Sequence, residues 1–421
     1  MKNLARISLS LCLLLAMTLT GCFKDNCNRE VTYIQPQPIY KTLDEIRVDV
    51  NVEAEKEMEN PGKIYVYGQY IFVNELHKGI HVINNTDPQS PVKESFIAIE
   101  GNVDMAIKDG VLYADNYVDL LALDINDPKN ATVLKRIENA FPHDGETNEG
   151  LLVAYEGKTV TEKVDCDWNP DPSWRLLSDS SDPSFSGAET ASTDKNYGTN
   201  GTGLAGSMAR FAAIGDMLYI IDDEEMYLFD ITGASNPTST GTVNIGRGIE
   251  TIYPYKSNLF IGANDGMYIY DNTDPQNPTY TSKFDHFTAC DPVVVDDNYA
   301  YVTLRSDNAC GSGWRDEIQV VDISDLNNPF LATNHIMEEP KGLAVDNGVV
   351  YLCDGHAGLK VLDNLEEWDI TLLDEVTTID AYDVILVPNT NTVVIVGENG
   401  LFQYDRTNPV NLEFLSQITL K

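Results

Sequence analysis

The stretch from Gly266 to Phe284 reads G-M-Y-I-Y-D-N-T-D-P-Q-N-P-T-Y-T-S-K-F. It contains a short apolar run that ends in Asp271, then a corner built from Asp274-Pro275 and Asn277-Pro278, and then a second strand-like run. Proline fixes φ for a turn and cannot sit inside a paired strand, while Asn and Asp side chains close turns on nearby backbone groups. The stretch therefore predicts a β-hairpin.

The same pattern recurs six more times along the chain. Similar runs begin at Gly79, Asp119, Glu225, Glu317, Gly358 and Gly400. The residues that end the apolar runs are Asn84, Asp124, Asp230, Asp271, Asp322, Asp363 and Asp405, at intervals of 40, 106, 41, 51, 41 and 42 residues. A repeat of about 40 residues indicates stacked supersecondary units.

A second element, strand, tight turn and strand, precedes each hairpin. Gly, Asn and Asp at the turns supply the positive φ that short hairpins require. The predicted elements are Ile64–Val73, Val103–Ala114, Met208–Ile221, Thr251–Ile261, Asp291–Val302, Lys341–Leu352 and Tyr382–Val396. The sequence thus predicts an all-β fold, a seven-bladed β-propeller of four-stranded antiparallel blades over residues 61–421.

One long insertion, residues 142–207, separates the predicted blades 2 and 3. Within it Gly150–Val164 predicts two strands that turn at Glu156-Gly157, and a polar stretch with Trp168 and Trp174 follows. Long loops in compact domains are usually functional or disordered. The two tryptophans either form a binding surface, for example for glycans, or cover the neighbouring blade.

The N-terminus predicts a bacterial lipoprotein. Residues 1–21 form a signal peptide with Lys2, Arg6 and an apolar core, and Leu19-Thr20-Gly21-Cys22 matches the lipobox. Cleavage would leave Cys22 as the first residue, carrying acyl chains such as palmitate. Two or three such chains would hold the protein firmly on a bilayer. Residues 22–60 are interpreted as a lipid-proximal tether, in which Pro36-Gln37-Pro38 argues against helix and strand.

An Asp directly after the lipid-bearing cysteine would suggest retention in the inner membrane; Phe23 stands there instead, so the sequence predicts the outer membrane. Lys24-Asp25 resembles the charged signal that directs Bacteroidetes lipoproteins to the cell surface. The sequence therefore predicts surface exposure, with a periplasm-facing location as the alternative.

Charge excludes two classes of partner. Removing residues 1–21 takes away Lys2 and Arg6 and no acid, so the formal net charge of −38 becomes −40. Such a chain repels nucleic acid and anionic lipid. The acids are interpreted as solvated loops; a Ca²⁺-binding surface is the alternative, although no D-x-D-x-D-G loop is present.

Six cysteines remain after cleavage, in a compartment that allows disulfides. Cys290 and Cys310 flank one predicted hairpin, and we expect them to be bonded. A pairing of Cys27 with Cys166 stays open. Cys353 lies in an apolar run and is predicted to be a buried core residue.

Runs such as Glu317–Pro329, E-I-Q-V-V-D-I-S-D-L-N-N-P, resemble the LVIVD repeat, and the resemblance covers about residues 62–420. Together with the lipobox, the chain resembles LVIVD-repeat lipoproteins of Bacteroidetes. The resemblance implies a seven-bladed propeller exported to the envelope and implies no reaction. Two copies depart from the pattern: residues 365–369 lack the proline turn, and residues 407–412 keep only its first half.

No catalytic motif, metal site or cofactor site is predicted, since none of the six histidines has metal-ligand spacing and no G-x-S-x-G occurs. The starts of the first strands should line the propeller funnel. The polar residues at those positions are Lys63, Asp104, Arg210, Thr251, Asp291, Lys341 and Asp383. They either pair with one another to close the funnel or form a pocket for a small zwitterionic or sugar-like ligand.

We therefore interpret the chain as a binding or scaffold protein that holds a protein or glycan partner through propeller loops, without catalysis. The alternative is an envelope enzyme acting on glycans, a hydrolase or lyase with its site in the funnel. A purely structural role in envelope assembly is a third hypothesis. A funnel whose polar residues pair with one another would argue against the enzyme.

Overall fold

The computed structural model describes residues 28–141, 146–165, 175–176, 204–222, 224–286, 292–305, 315–363 and 370–420. In these ranges the chain is almost entirely β, with one α-helix, α1 (Leu43–Ile46), and a 3-10 turn at Pro128–Asn130. The chain forms two compact units. One comprises residues 1–40 and 152–188, and the other comprises residues 41–151 and 189–421.

The smaller unit is built on two long strands, β1 (Asn28–Lys41) and β12 (Gly150–Asp165), with β13 (Arg175–Leu176) on the other side of β1. Tyr33 of β1 donates its hydroxyl to Glu162 of β12 at 2.8 Å. Two predictions are wrong here. The expected turn at Glu156-Gly157 is absent because β12 runs straight through it beside β1. Pro36 and Pro38 lie inside β1, where β13 pairs only with Tyr33 and Ile34 and leaves one edge open.

The larger unit contains seven four-stranded antiparallel blades, which confirms the predicted fold. Blade 1 comprises β3 (Pro61–Tyr67), β4 (Tyr70–Glu75), β5 (Gly79–Asn84) and β6 (Val92–Ala98). Blade 2 comprises β7 (Met105–Lys108), β8 (Val111–Asn116), β9 (Asp119–Asp124) and β10 (Thr132–Ile137). Blade 3 comprises β15 (Phe211–Ile214), β16 (Met217–Ile221), β17 (Glu225–Asp230) and β18 (Thr238–Asn244). Blades 4 and 5 comprise β19 (Ile249–Tyr255), β20 (Asn258–Ala263), β21 (Gly266–Asp271) and β22 (Thr279–Asp285); and β23 (Val293–Asp296), β24 (Tyr299–Leu304), β25 (Glu317–Asp322) and β26 (Phe330–Ile336). Blades 6 and 7 comprise β27 (Leu343–Asp346), β28 (Val349–Cys353), β29 (Leu359–Asp363) and β30 (Thr371–Val376); and β31 (Ala381–Leu386), β32 (Thr392–Gly397), β33 (Gly400–Asp405) and β34 (Glu413–Thr419).

The first strands of successive blades contact one another and surround a central channel. We term the end where each first strand begins the linker end, because the blade-to-blade linkers enter there. The opposite end, where the first strand turns into the second and the third into the fourth, is the turn end.

Blade 7 closes the ring against blade 1. Ser416 donates its hydroxyl to the carbonyl of Pro88 at 2.6 Å, and the side-chain amides of Gln403 and Asn85 bond to each other. Ile64 and Val394 belong to one buried apolar cluster that joins the two blades. Comparable clusters of Val, Ile, Leu and Tyr fill the spaces between the other blades, so burial between blades holds the ring together.

The turn-end corners follow from residues that accept unusual backbone angles or cap a turn. Each of the seven turns between first and second strands has a residue at positive φ: Gly68, Asp109, Gly215, Lys256, Asp297, Asn347 and Asn389. The residue that ends the third strand accepts the backbone N–H two positions later. These capping residues are Asn84 (3.0 Å), Asp124 (2.9 Å), Asp230 (2.8 Å), Asp271 (2.8 Å), Asp322 (2.9 Å) and Asp405 (2.7 Å).

Every fourth strand carries one extra residue opposite the third strand, at the same place in all seven blades. In blade 4, for example, Ile269 pairs with Ser282 and Tyr270 with Tyr280, which leaves Thr281 unpaired. A bulge of this kind increases the local twist of a strand. Its recurrence shows that the repeat extends to backbone detail.

The stretch interpreted as a tether is ordered on the propeller from residue 42 onward. Strand β2 (Asn51–Ala54) adds to the outer edge of β6 as a fifth strand of blade 1. Arg47 forms a two-fold bond with Asp119, with Nε to Oδ2 at 2.9 Å and a terminal nitrogen to Oδ1 at 3.0 Å. Asp119 is fully buried and begins the third strand of blade 2, so this segment joins the propeller at the linker end.

Candidate functional site

The predicted funnel ring lies at the linker end, and its members have different surroundings. Lys63 and Asp104 form a buried ion pair, with Nζ and Oδ2 3.1 Å apart. Asp104 Oδ2 also accepts the backbone N–H groups of Arg210 (2.6 Å) and Phe211 (3.2 Å). Asp104 therefore binds blades 1, 2 and 3 together.

The other ring positions are separate from this pair. Lys341 lies 3.0 Å from Glu339 Oε1 and 4.3 Å from the ring centroid of Tyr382. Asp383 is buried, and its Oδ1 accepts the backbone N–H of Val384 at 2.8 Å. Thr251 is also buried. Asp291 lies outside the described residues, as do Cys22, Cys290, Cys310, Trp168 and Trp174, so the roles predicted for them stay predictions.

A segment from the end of the insertion runs through the channel, from the turn-end half of β3 to the start of β27 at the linker end. Strand β14 (Leu204–Ala205) pairs with β3 on its channel side, with Ala205 opposite Tyr65. Ser207 Oγ accepts the backbone N–H of Leu343 in blade 6 at 2.7 Å. The carbonyl of Ala209 accepts the N–H of Ile252 in blade 4 at 2.9 Å. Residues 204–210, the channel segment, thus bond to inner strands on several sides, and β15 starts only at Phe211, later than the predicted Met208.

Other acids at this end, two of them fully buried, fix the incoming linkers. Glu75 accepts the backbone N–H groups of Glu59 (3.1 Å) and Asn60 (2.8 Å). Asp115 does the same for Val103 and Asp104, and Asp354 for Glu338 and Glu339. The repeat thus uses an acid near the end of the second strand as an acceptor for the linker that enters the same blade.

Two of these acids have opposite pKa shifts. Burial raises the pKa of Glu75, but the bonds from His81, Glu59 and Asn60 outweigh burial and lower that pKa to about 2. Burial dominates at Asp115 and raises its pKa to about 6, against the lowering effect of the bonds from Asp104 and Val103. Both carboxyl groups are engaged in structure.

The turn end of the channel holds a cavity of about 490 Å³, which sequence reasoning did not locate. Four neighbouring blades, 3 to 6, form its walls. The residues that line it include Tyr253, Pro254, Tyr255, Asp296, Asp346 and Asn347. A cavity of this size with aromatic walls and a few polar groups is typical of a ligand site.

The two tyrosines hold the cavity wall in place through bonds to the next blade. Tyr253 donates its hydroxyl to the carbonyl of Val295 at 3.2 Å, and the hydroxyl of Tyr255 accepts the backbone N–H of Asp297 at 2.9 Å. Blade 1 repeats the arrangement: Tyr65 donates to the Ile107 carbonyl, and Tyr67 accepts from Gly110. A Tyr-x-Tyr pattern in a first strand was the available sequence signal.

The carboxylates of the cavity are also fixed. Asp296 Oδ2 accepts the backbone N–H of Gly348 at 2.7 Å, and Asp346 Oδ2 lies 2.6 Å from a terminal nitrogen of Arg406. Lys256, at the rim, lies over the ring of Tyr255 and 3.5 Å from Asp297. The wall therefore presents preset acceptors beside aromatic surface.

The described residues contain neither a metal-binding cluster nor a membrane-spanning helix. No group of three or more His, Cys, Asp or Glu is placed to hold a metal ion. None of the described helices is long and apolar enough to cross a bilayer. Cys353, predicted to be a core residue, is fully buried.

No protein-family model matches the chain, and no curated protein matches it. Among solved structures, the computationally designed Ika8 protein has a TM-score of 0.49 at 9% identity, covering 87% of this chain and 93% of that one. A functionally unknown protein from Desulfotomaculum acetoxidans has a TM-score of 0.47 at 11% identity, covering 86% and 100%. BamB from Moraxella catarrhalis has a TM-score of 0.45 at 8% identity, covering 80% and 81%.

Proposed function

We propose that this chain is a lipid-anchored protein of the bacterial outer membrane, exposed at the cell surface, that holds a protein or glycan partner and carries out no reaction. The cavity at the turn end carries the proposal. It is the place where fixed aromatic and carboxylate groups surround a volume large enough for a ligand group.

The contacts at the linker end favour a binding function over catalysis. An enzyme with its site in the funnel would need polar groups available for substrate. Here Lys63 and Asp104 pair with each other, and Asp104 also accepts the Arg210 N–H at the start of blade 3. The channel segment also reaches this end, where Ser207 accepts the backbone N–H of Leu343 at the start of β27. These contacts favour a structural role for the ring.

The N-terminal segment supports an outward-facing cavity. The lipobox would place the acyl chains at Cys22. Residues 42–54 join the propeller at the linker end, through Arg47 on Asp119 and β2 on β6. The cavity opens at the opposite end of the channel, so we propose that it faces away from the membrane.

Lipid attachment is tested by labelling cells with a palmitate analogue. The wild-type chain should take up the label and Cys22→Ser should not. Protease added to intact cells should digest the wild-type protein, and full resistance would contradict surface exposure.

Partner binding is tested by affinity capture from solubilised envelopes. Tyr255→Ala should lose the captured partner, because it removes a cavity wall. Tyr67→Ala is the matched control, since Tyr67 makes the equivalent bond in blade 1 but does not line the cavity. Equal loss in both variants, or in neither, would contradict a site in the cavity.

A further inference from the structure

The outer edge of a blade accepts a further strand, as blade 1 shows. There β2 pairs antiparallel with β6, with Asn51 opposite Ala98 and Ala54 opposite Ser95. These partners are the four residues of β6 that follow its bulge at Glu94. A strand at the edge of a sheet carries unpaired backbone N–H and C=O groups, so an added strand gains hydrogen bonds there. The half of a fourth strand that follows the bulge, the post-bulge half, is therefore able to bind a fifth strand.

Blade 5 has an equivalent edge. Its fourth strand, β26, is the last strand of its sheet, and no described strand pairs with its outer side. The bulge of β26 lies at Ala332, which the pairing with β25 skips. The post-bulge half is Thr333–Ile336, and it corresponds to the part of β6 that pairs with β2. The backbone of blade 5 is thus built in the same way as the edge that binds a strand in blade 1.

The composition of β26 distinguishes it from the other outer edges. Charged residues occur in β10, β22, β30 and β34, and charges on edge strands discourage pairing with another chain. β26 (F-L-A-T-N-H-I) contains no Lys, Arg, Asp or Glu. It leaves Phe330 56% exposed, Leu331 43% and Ile336 71%, the last being the highest value for a large hydrophobic residue in the described part of the chain. β18 also lacks charge, but its exposed residues are Thr, Ser, Asn and Gly241.

We propose that the outer edge of blade 5 pairs with the same edge of a second copy of this chain, across a two-fold axis. Antiparallel pairing brings the Ile336 end of each β26 to the Phe330 end of the other, so apolar side chains meet at both ends. Glu338 and Glu339, which follow β26, then lie beside the uncharged stretch 327–329 of the other copy. Like charges therefore do not face each other here, although the chain carries a formal net charge of −38.

The test is sedimentation velocity of the full-length chain in mild detergent over a wide range of concentration. The wild-type chain should form dimers. Ile336→Lys should raise the dimer dissociation constant by at least about tenfold, because pairing would then bury an ammonium group against apolar side chains of the other copy. The side chain of Ile336 is mostly exposed, so we expect the variant to fold as the wild type does, and thermal denaturation checks this.

Thr419→Lys is the matched control. Thr419 is exposed and lies opposite the first residue of its third strand in blade 7, as Ile336 does in blade 5. The control variant should dimerise as the wild type does. A wild-type chain that stays monomeric, or equal weakening by the two lysines, would overturn the proposal.

A second measurement identifies what binds the edge in intact cells. Benzoylphenylalanine at Leu331 should cross-link two copies and give a product of twice the mass of the chain. A cross-link to a different protein alone would show another occupant and would also overturn the proposal. The proposed binding function is tested independently, because Tyr255 lies in blade 4 at the cavity: a monomeric chain that still captures its envelope partner would keep that function.

Discussion

The two ends of the propeller channel use the same residue types for different purposes. At the linker end, Asp104 and Glu75 are buried, Asp115 is partly buried, and all three accept backbone N–H groups of incoming linkers. At the turn end, acids cap exposed corners, and a cavity lies among the turns of blades 3 to 6. Counting acids cannot separate these roles. Burial and bonding partners do: they give the acids of the linker end a structural role, and we propose recognition at the turn end.

The largest effect should come from removing the acid that joins three blades. Asp104→Ala leaves buried Lys63 without that carboxylate and removes the acceptor of the Arg210 and Phe211 N–H groups. Loss of one partner of a buried ion pair costs about 3–5 kcal/mol in the free energy of unfolding. Urea denaturation measures it. A variant as stable as the wild type but unable to bind partner would instead place the ligand site at the linker end.

A second linker-end acid should show its role through pH. The folded pKa of Glu75, about 2, lies below its ordinary value of 4.5, so its stabilisation is complete above 4.5 and is lost as pH falls toward 2. A shift of this size corresponds to about 3 kcal/mol. Glu75→Gln should therefore be less stable than wild type at pH 7, with a gap that narrows as pH falls below 4.5. A gap independent of pH would show that the charge of Glu75 contributes nothing.

The docked N-terminal segment should respond to the loss of its ion pair. Arg47→Ala removes the two-fold bond to buried Asp119, and a bond to a charged group contributes about 2 kcal/mol. Limited proteolysis should then cut within residues 42–54 while the propeller stays intact. Arg247→Ala is the comparison, because Arg247 pairs with Glu224 in blade 3, away from this segment. Cutting at the same rate in both variants would contradict a specific clasp by Arg47.

The smallest effect is expected at the turn end. Asp271→Asn keeps the oxygen that accepts the Thr273 N–H, as Asn84 does in blade 1. The free energy of unfolding should stay close to that of the wild type, as is usual for exposed substitutions. Thermal denaturation at neutral pH measures the change. A clear loss of stability would mean that the charge, and not the cap, holds the corner.

The repeat could be predicted because nearly every blade has the same residue types at its corners and turns. The third-strand acid and the proline that follows encode a corner, and residues such as Asn347 encode the turn between first and second strands. These local signals set the number of blades and the strand order. The bulge at Thr281 has no comparable signal, since the extra residue is not the same in every blade; in blade 2 it is Leu134.

The sites could be predicted only in part because they depend on contacts between distant residues. Aligning the blades placed Lys63 and Asp104 at the linker end, but their pairing depends on blades 1 and 2 being neighbours. The path of Ser207 across the channel to Leu343 could not follow from an irregular polar sequence. The cavity requires turns from four blades, although Tyr253 and Tyr255 marked one wall.

Site-specific photo-cross-linking in intact cells tests the division between the two ends most directly. A benzoylphenylalanine at Lys256 would lie at the cavity rim, and one at Glu398 would lie exposed at the linker end. We predict that a discrete partner is cross-linked from position 256 and not from position 398. Cross-linking from position 398 alone would contradict it and return the binding site to the linker end.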